Sequence, residues 1–433
     1  MSKLNTLSRL FSKPWVDPLC LWGMGWILPA ARCWAAAGSG DVAAFAHELK
    51  LNDIPGPIAD RVRQTAGLRE LSQAAQERWI GAAFERRGDL ALAEAARRSA
   101  AHDYLSQRFA YLWFARRRHV AASHLDVPLP SALAGIDADP DRLFALGTLP
   151  TIERSGIVEH PDVREYWLRF PSPEAPADIC WVHVYEGRRP DGMPLPSLIF
   201  GHGLAMEMEM MKGDMRGYRG LAAQGCRVLL PDAPGHNRRV APGLYGGESF
   251  MCRPPLSGLA HFQKASRELG AIVAWCRGEG NGRVALGGIS LGALTAQVAA
   301  TRMGSWPAEA RPDALMLLTT TDAVSALTFH SSLAAVTGLK AAAEAAGWDA
   351  AAVAGLGRYT DATGPAPLDP DDIVLLIGRR DDVTPYDGGR RLAEKWRIPP
   401  ENLFVRDQGH FSAAIGLGPD PAPFSRILAL LNR

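Results

Sequence analysis

Cysteine is scarce and scattered. Cys20, Cys33, Cys180, Cys226, Cys252 and Cys276 stand far apart, with no CxxC pair and no histidines at zinc-ligand spacing. That pattern excludes a zinc ribbon, a redox dithiol motif and a disulfide-dense secreted scaffold, and it fits the reduced thiols of a cytoplasmic protein. An excess of one charge is also lacking. Lys and Arg (47) and Asp and Glu (46) leave a formal net charge of +1, so nothing points to nucleic acid or another polyanion. Runs long enough to cross a bilayer are missing as well. The uncharged stretch PLCLWGMGWILPAA, Pro18 to Ala31, falls short of the roughly 20 residues a spanning helix needs.

That stretch follows Lys3, Arg9, Lys13 and Asp17 and contains Trp22 and Trp26, with Arg32 and Trp34 just after it. It predicts a packed helix. Peripheral membrane contact through the Trp-rich segment and a cleaved signal peptide are the alternatives.

From Asp41 to Arg118 the chain is rich in Ala, Arg, Glu and Leu. The run LALAEAARRSAAHDYLSQRFAYLWFA places Leu92, Ala96, Tyr104, Phe109 and Leu112 on one predicted helical face, and a break near Gly88 suggests a hairpin of two helices. Arg116, Arg117 and Arg118 read as a solvated helix end. A Pro-rich connector, DVPLPSALAGIDADPD, then closes an N-terminal helical segment of residues 1–150.

Beyond it the rhythm becomes strand, turn, helix. VREYWLRF and ICWVHVYE alternate as an antiparallel pair, and the short apolar runs PSLIFGHG, CRVLLPDAPGH, RVALGGIS, ALMLLTTTD, DIVLLIGRRDD and NLFVRDQGH follow, separated by helical patterns. The expectation is an α/β fold, a mostly parallel doubly wound sheet over residues 151–433. Sites in such sheets form at the C-terminal strand ends.

At one of those ends lies GISLG, residues 288–292, between the strand RVALG and the helix LGALTAQVAATRM. In this context Ser290 is a candidate nucleophile, projected from a sharp turn whose flanking glycines avoid collisions with strand and helix. The bland reading is a helix-capping serine in a plain turn. A nucleophile needs a base and an orienting acid on later strand ends. His410 follows the run NLFVRD, and Asp381 follows DIVLLIG. Asp322, one strand earlier, competes for the acid role, whereas Asp382 is expected to be solvated. The oxyanion donors would be the backbone N–H groups of Leu291 and Leu204, the latter in the HGL loop after PSLIF. His202 in that loop reads as a packing residue.

Taken together, HGL, PDAPGH, GISLG, GRRDDVTP and QGHFSA resemble, in order and spacing, the markers of the α/β-hydrolase superfamily over roughly residues 150 to 433. The helical segment ahead of them is similar to that of the fermentation-respiration switch protein-like and pseudooxynicotine-hydrolase-like members. LLTTTDAVSALTFHSSLA and QGHFSA look more like the alpha/beta hydrolase domain-containing proteins. The resemblance implies a Ser290, Asp381, His410 triad, an acyl-enzyme and no metal or organic cofactor.

Between ALMLLTTTD and DIVLLIG, at about residues 323–368, lies an Ala-rich helical insertion that reads as a cap. With the N-terminal helices it is expected to enclose an apolar pocket. His202, Gly203, Met206, Ile289 and His330 are its candidate lining residues, with Met210 as an alternative to Met206. The expected substrate is a small-molecule carboxylic ester or thioester. Hydrolysis of a carbon–carbon bond next to a ketone is the alternative chemistry, and a regulatory protein with a vestigial site is the non-enzymatic one. Oligomeric state is left open.

Overall fold

The computed structural model describes residues 11–190, 193–207, 212–280 and 282–433, with side chains of 212–216 left aside. Ten strands form one sheet: β1 (Glu153–Arg154), β2 (Val158–Glu159), β3 (Val163–Ser172), β4 (Ala175–Gly187), β5 (Ser197–Gly201), β6 (Arg227–Pro231), β7 (Val284–Ile289), β8 (Ala314–Leu318), β9 (Ile373–Gly378) and β10 (Leu403–Arg406). Their order is β1-β3-β4-β6-β5-β7-β8-β9-β10, with β2 on β3. The pairs from β6 to β10 are parallel, and β4 joins them antiparallel. Every residue of β7, β8 and β9 is buried. Helices cover both faces there, which is why these strands read as unbroken apolar runs rather than alternating ones.

The longer helices of the N-terminal segment and the first crossover are α1 (Val16–Ala36), α2 (Gly56–Phe84), α3 (Leu90–Ser106) and α4 (Lys212–Ala222). Five more complete the sheet's flanks: α5 (Leu256–Gly278), α6 (Leu291–Arg302), α7 (Tyr386–Lys395), α8 (His410–Ile415) and α9 (Ala422–Leu431). Helices α5, α6 and α7 bury Ile272, Ala296 and Leu392 on one face of the sheet, and α4 and α9 bury Leu221 and Ile427 on the other.

The hairpin expected around Gly88 is present as α2 and α3, but its predicted apolar face is buried only in part, with Tyr104 and Leu112 packed against the N-terminal core. Leu92 is 71% and Phe109 45% exposed, while Glu94, Arg97 and Leu105 are buried. Arg97 forks onto Glu94 at 2.8 and 2.7 Å, and its guanidinium lies 5.2 Å from the Trp79 ring centroid. An ion pair stacked on an aromatic therefore fills the place an apolar stripe was expected to take. Phe109 also falls past the end of α3, in a 3₁₀ turn, Gln107–Tyr111, where the helical period no longer holds.

The N-terminal segment is packed on the sheet rather than hung from it. Trp79 meets Trp167 at 5.3 Å and Trp181 at 5.6 Å, so the antiparallel end of the sheet is covered as well. Between β8 and β9 five short helices run from Leu327 to Thr360, where the insertion was expected. The Pro-rich connector lies against them: Trp348 Nε1 donates to Pro128 O at 2.6 Å and the Tyr359 hydroxyl to Asp137 O at 2.8 Å. Among the described residues no helix is long and apolar enough to cross a membrane.

Candidate active site

Ser290 ends β7 and precedes α6 with φ 53° and ψ −118°, a left-handed backbone that costs a non-glycine residue roughly 1–3 kcal/mol. The flanking glycines allow it. A Cβ at Gly288 would lie 2.4 Å from the Gly292 carbonyl carbon, and one at Gly292 would lie 2.2 Å from Gly201 O. The turn is held because the Ser290 N–H donates to Leu318 O at 2.9 Å.

His410 opens α8. Its Nε2 accepts from the Ser290 hydroxyl at 2.8 Å, and its Nδ1–H donates to Asp381 Oδ2 at 2.9 Å. Asp381 Oδ1 accepts from the Val383 and Thr384 N–H groups at 2.9 and 2.8 Å, and Oδ2 also accepts from the Thr384 hydroxyl at 2.8 Å. An ionised carboxylate accepts only, so this network fixes the imidazole tautomer with its free lone pair toward Ser290. Asp322 is engaged elsewhere, taking a two-pronged bond from Arg391 at 2.9 and 3.0 Å. Asp382 accepts from the Ser332 hydroxyl at the exposed surface.

A residue that sequence reasoning passed over braces this arrangement. Asp17, in the first turn of α1, is buried and accepts from the N–H of Phe411 at 2.7 Å, the N–H of Ser412 at 3.3 Å and the Ser412 hydroxyl. Gly409 leaves it room, since a Cβ there would lie 2.4 Å from the Asp17 Cγ. The available signal was an acidic residue at a helix start with no exposed partner in sight; its partners lie nearly four hundred positions away.

The HGL loop is pinned from behind. Ala205, at φ 56°, donates its N–H to His236 Nε2 at 3.3 Å, and His236 Nδ1–H donates to Pro234 O at 3.0 Å. His202 Nδ1–H donates to Gly203 O at 2.9 Å, and its Nε2 accepts from the Ala233 N–H at 3.3 Å. Both rings are thus neutral acceptors, and burial holds both below the usual histidine range, His236 well below it. His261, stacked edge-on to Phe250, is pushed down to about 3, first by burial and then by the Arg239 charge. The sign follows from linkage. Below about pH 6.5 the unfolded chain takes up protons that these folded histidines refuse, so stability falls as pH falls, by about 1.4 kcal/mol per unit for each. For His261 the loss levels off only below about 3. Urea midpoints measured from about pH 8 down to about pH 5 are expected to decline, and His261→Phe to flatten the decline.

Ser290, Leu291 and Leu204 share one cavity of about 120 Å³. Its walls come from Phe250, from Leu259 and Phe262 of α5, from Leu294, and from the cap through Leu327 and Leu333. Most of the candidate lining residues named from sequence lie elsewhere. Met206 accepts from the Gly203 N–H at 3.1 Å and packs into the core under β5. Ile289 is buried in the same core, because alternate residues of β7 face opposite sides of the sheet. His202 sits beneath the loop, Gly203 faces the nucleophile, where an added Cβ would lie 3.7 Å from the Ser290 Cβ, and His330 is exposed at the end of its short helix. Met210 lies outside the described residues. Among the described residues the N-terminal helices do not line the cavity; Leu28 and Phe45 share a core with the cap residues Ala334 and Leu339. Leu259 and Phe262 reach the cavity from the N-terminal turns of α5.

A mostly parallel sheet with a serine on a strained elbow at its C-terminal edge is the architecture of an α/β hydrolase. Residues 198–424 match the alpha/beta hydrolase family, and the chain belongs to it. No curated protein matches the sequence. Similar solved structures include a cold-adapted esterase from an Arctic intertidal metagenomic library, 15% identical, TM-score 0.41, covering 64% of this chain and 97% of that one. Acetyl xylan esterase 1 from Thermoanaerobacterium sp. JW/SL YS485 is 14% identical, TM-score 0.45, over 68% and 96%. A thermostable esterase from Pseudomonas putida ECU1011 is 16% identical, TM-score 0.38, over 70% and 86%.

Proposed function

We propose that this protein is a serine hydrolase that cleaves a carboxylic ester or thioester with a compact apolar acyl group. The observation that carries the reading is the chain of bonds from Asp381 through His410 to Ser290, opening onto the apolar cavity. His410 Nε2 takes the hydroxyl proton as Ser290 Oγ attacks the acyl carbon. The oxyanion is held by the N–H groups of Leu291 and Leu204, each donor contributing about 2.7–4 kcal/mol in the transition state. Collapse expels the alcohol or thiol, which His410 protonates, and the acyl-enzyme is hydrolysed by a water that His410 deprotonates.

The polar side chains on the cavity wall are Ser and Thr. Carbon–carbon hydrolysis must protonate a carbanion or enolate leaving group, and among the described residues the cavity wall adds only Ser and Thr hydroxyls to His410 for that task, so the ester or thioester reading is the better supported one. The cavity is somewhat smaller than a 150 Å³ void that holds benzene, which suits an acyl chain of roughly four to six carbons.

Labelling with a fluorophosphonate and mapping the modified peptide tests the proposal. Modification at Ser290, absent in Ser290→Ala, together with a p-nitrophenyl ester series peaking at short to medium chains, is the expected result. A folded protein that resists labelling and hydrolyses no ester would point to the regulatory reading.

A further inference from the structure

We propose that α1 and Trp113 form a docking face for an anionic lipid surface. Trp15, Leu19, Trp22 and Trp26 follow one another at four, three and four residues, which places them on a single stripe of the helix, about 17 Å long. The stripe faces outward: Trp15 is 48%, Leu19 55% and Trp22 65% exposed. Contacts between rings extend it at both ends. Phe11 meets Trp15 at 6.1 Å, Trp22 meets Trp26 at 5.4 Å, and Trp26 meets Trp113, itself 69% exposed, at 5.4 Å. Among the described residues the other exposed aromatic, Phe109, enters no such ring contact. A contiguous aromatic ridge of this kind marks an interaction surface, where single exposed leucines do not.

The charge beside the ridge selects the occupant. Lys13 and Arg117 are exposed, and Arg116 lies 5.2 Å from the Trp26 ring centroid. Of the carboxylates on or beside these elements, Asp17 is turned inward to α8 and Asp53 is taken by Arg118 at 2.7 and 3.0 Å. Among the described residues the face therefore combines tryptophans with cations that no carboxylate pairs. Indole rings prefer the headgroup level of a bilayer, and basic side chains at that depth are attracted to anionic lipid. A two-fold contact with a second copy would instead set like cations against each other. Because the stripe covers one side of α1 while the other side is core, the helix would lie flat in the interface. The cap borders this face: a Cβ at Gly25 would lie 3.6 Å from Val336, at the end of the short helix whose Leu333 and Ala334 line the cavity.

The test is flotation of the full chain with vesicles of phosphatidylcholine alone and of phosphatidylcholine mixed equally with phosphatidylglycerol. Binding to the mixed vesicles, a blue shift of tryptophan emission and weakening with added salt are expected. The triple variant Trp15→Ser, Trp22→Ser, Trp113→Ser is expected to lose at least about tenfold in affinity. Circular dichroism and fluorophosphonate labelling of that variant separate loss of docking from loss of fold. Absence of binding to either vesicle, equal binding by the variant, or a dimer that the variant abolishes would each overturn the proposal, the last in favour of a second copy.

Discussion

Asp381→Asn is expected to lower kcat by about 10⁴-fold with little change in KM. The reason lies in how the carboxylate is held. Two backbone N–H groups, from Val383 and Thr384, converge on Oδ1, so an asparagine there must place its carbonyl oxygen at that position. Its NH₂ then takes the place of Oδ2 and points at His410 Nδ1. The ring can only answer by carrying its proton on Nε2, the atom that must accept from Ser290. The fold is preserved and the tautomer is wrong. Asp322→Asn provides the contrast. It weakens a bond to the half-exposed Arg391 side chain, a kind of pair worth about 1 kcal/mol or less, and leaves the base untouched. Steady-state kinetics of the two variants decide between the acids. A loss confined to Asp322→Asn would assign the orienting role one strand earlier.

The serine and the histidine were legible because their roles depend on local order: a strand, a sharp turn and glycines whose absent Cβ atoms make room. The competition between Asp381 and Asp322 was not resolvable, because both follow parallel strands at the same sheet edge. What separates them is Arg391 on α7, a partner 69 positions from Asp322 that no spacing reveals. The pocket was the least legible part. Met206 and Ile289 stand beside the nucleophile in chain or space, yet pleating turns Ile289 into the core, and the thioether of Met206 folds back on its own loop. The walls come instead from the N-terminal turns of α5 and from the cap, elements whose facing is decided by how they cross the sheet. Helix α3 was misread for a related reason. Periodicity counts apolar residues, and the buried side of α3 is an arginine paired with a glutamate over an indole.

Asp17→Ala is expected to reduce kcat by about 10- to 10²-fold and to lower stability by about 2–4 kcal/mol. The carboxylate accepts two N–H groups and one hydroxyl at the start of α8, all of them in the two residues after His410. Removing it strands buried donors, each costing about 1–3 kcal/mol, and frees the helix that carries the base. Asp17→Asn keeps an oxygen for the backbone donors and can give its NH₂ to the Ser412 hydroxyl, so it is expected to retain most of both quantities. Thermal melts alone do not separate a brace from a positioning group, since either role predicts a less stable alanine variant. Single-turnover acylation by a fluorophosphonate does. If the alanine variant melts earlier but acylates at the parent rate once folded, Asp17 only ties α1 to the sheet. A slower acylation in the folded variant, restored by asparagine, would mean that the N-terminal helix sets the distance between His410 and Ser290, and that the segment outside the hydrolase core belongs to the machinery of the site.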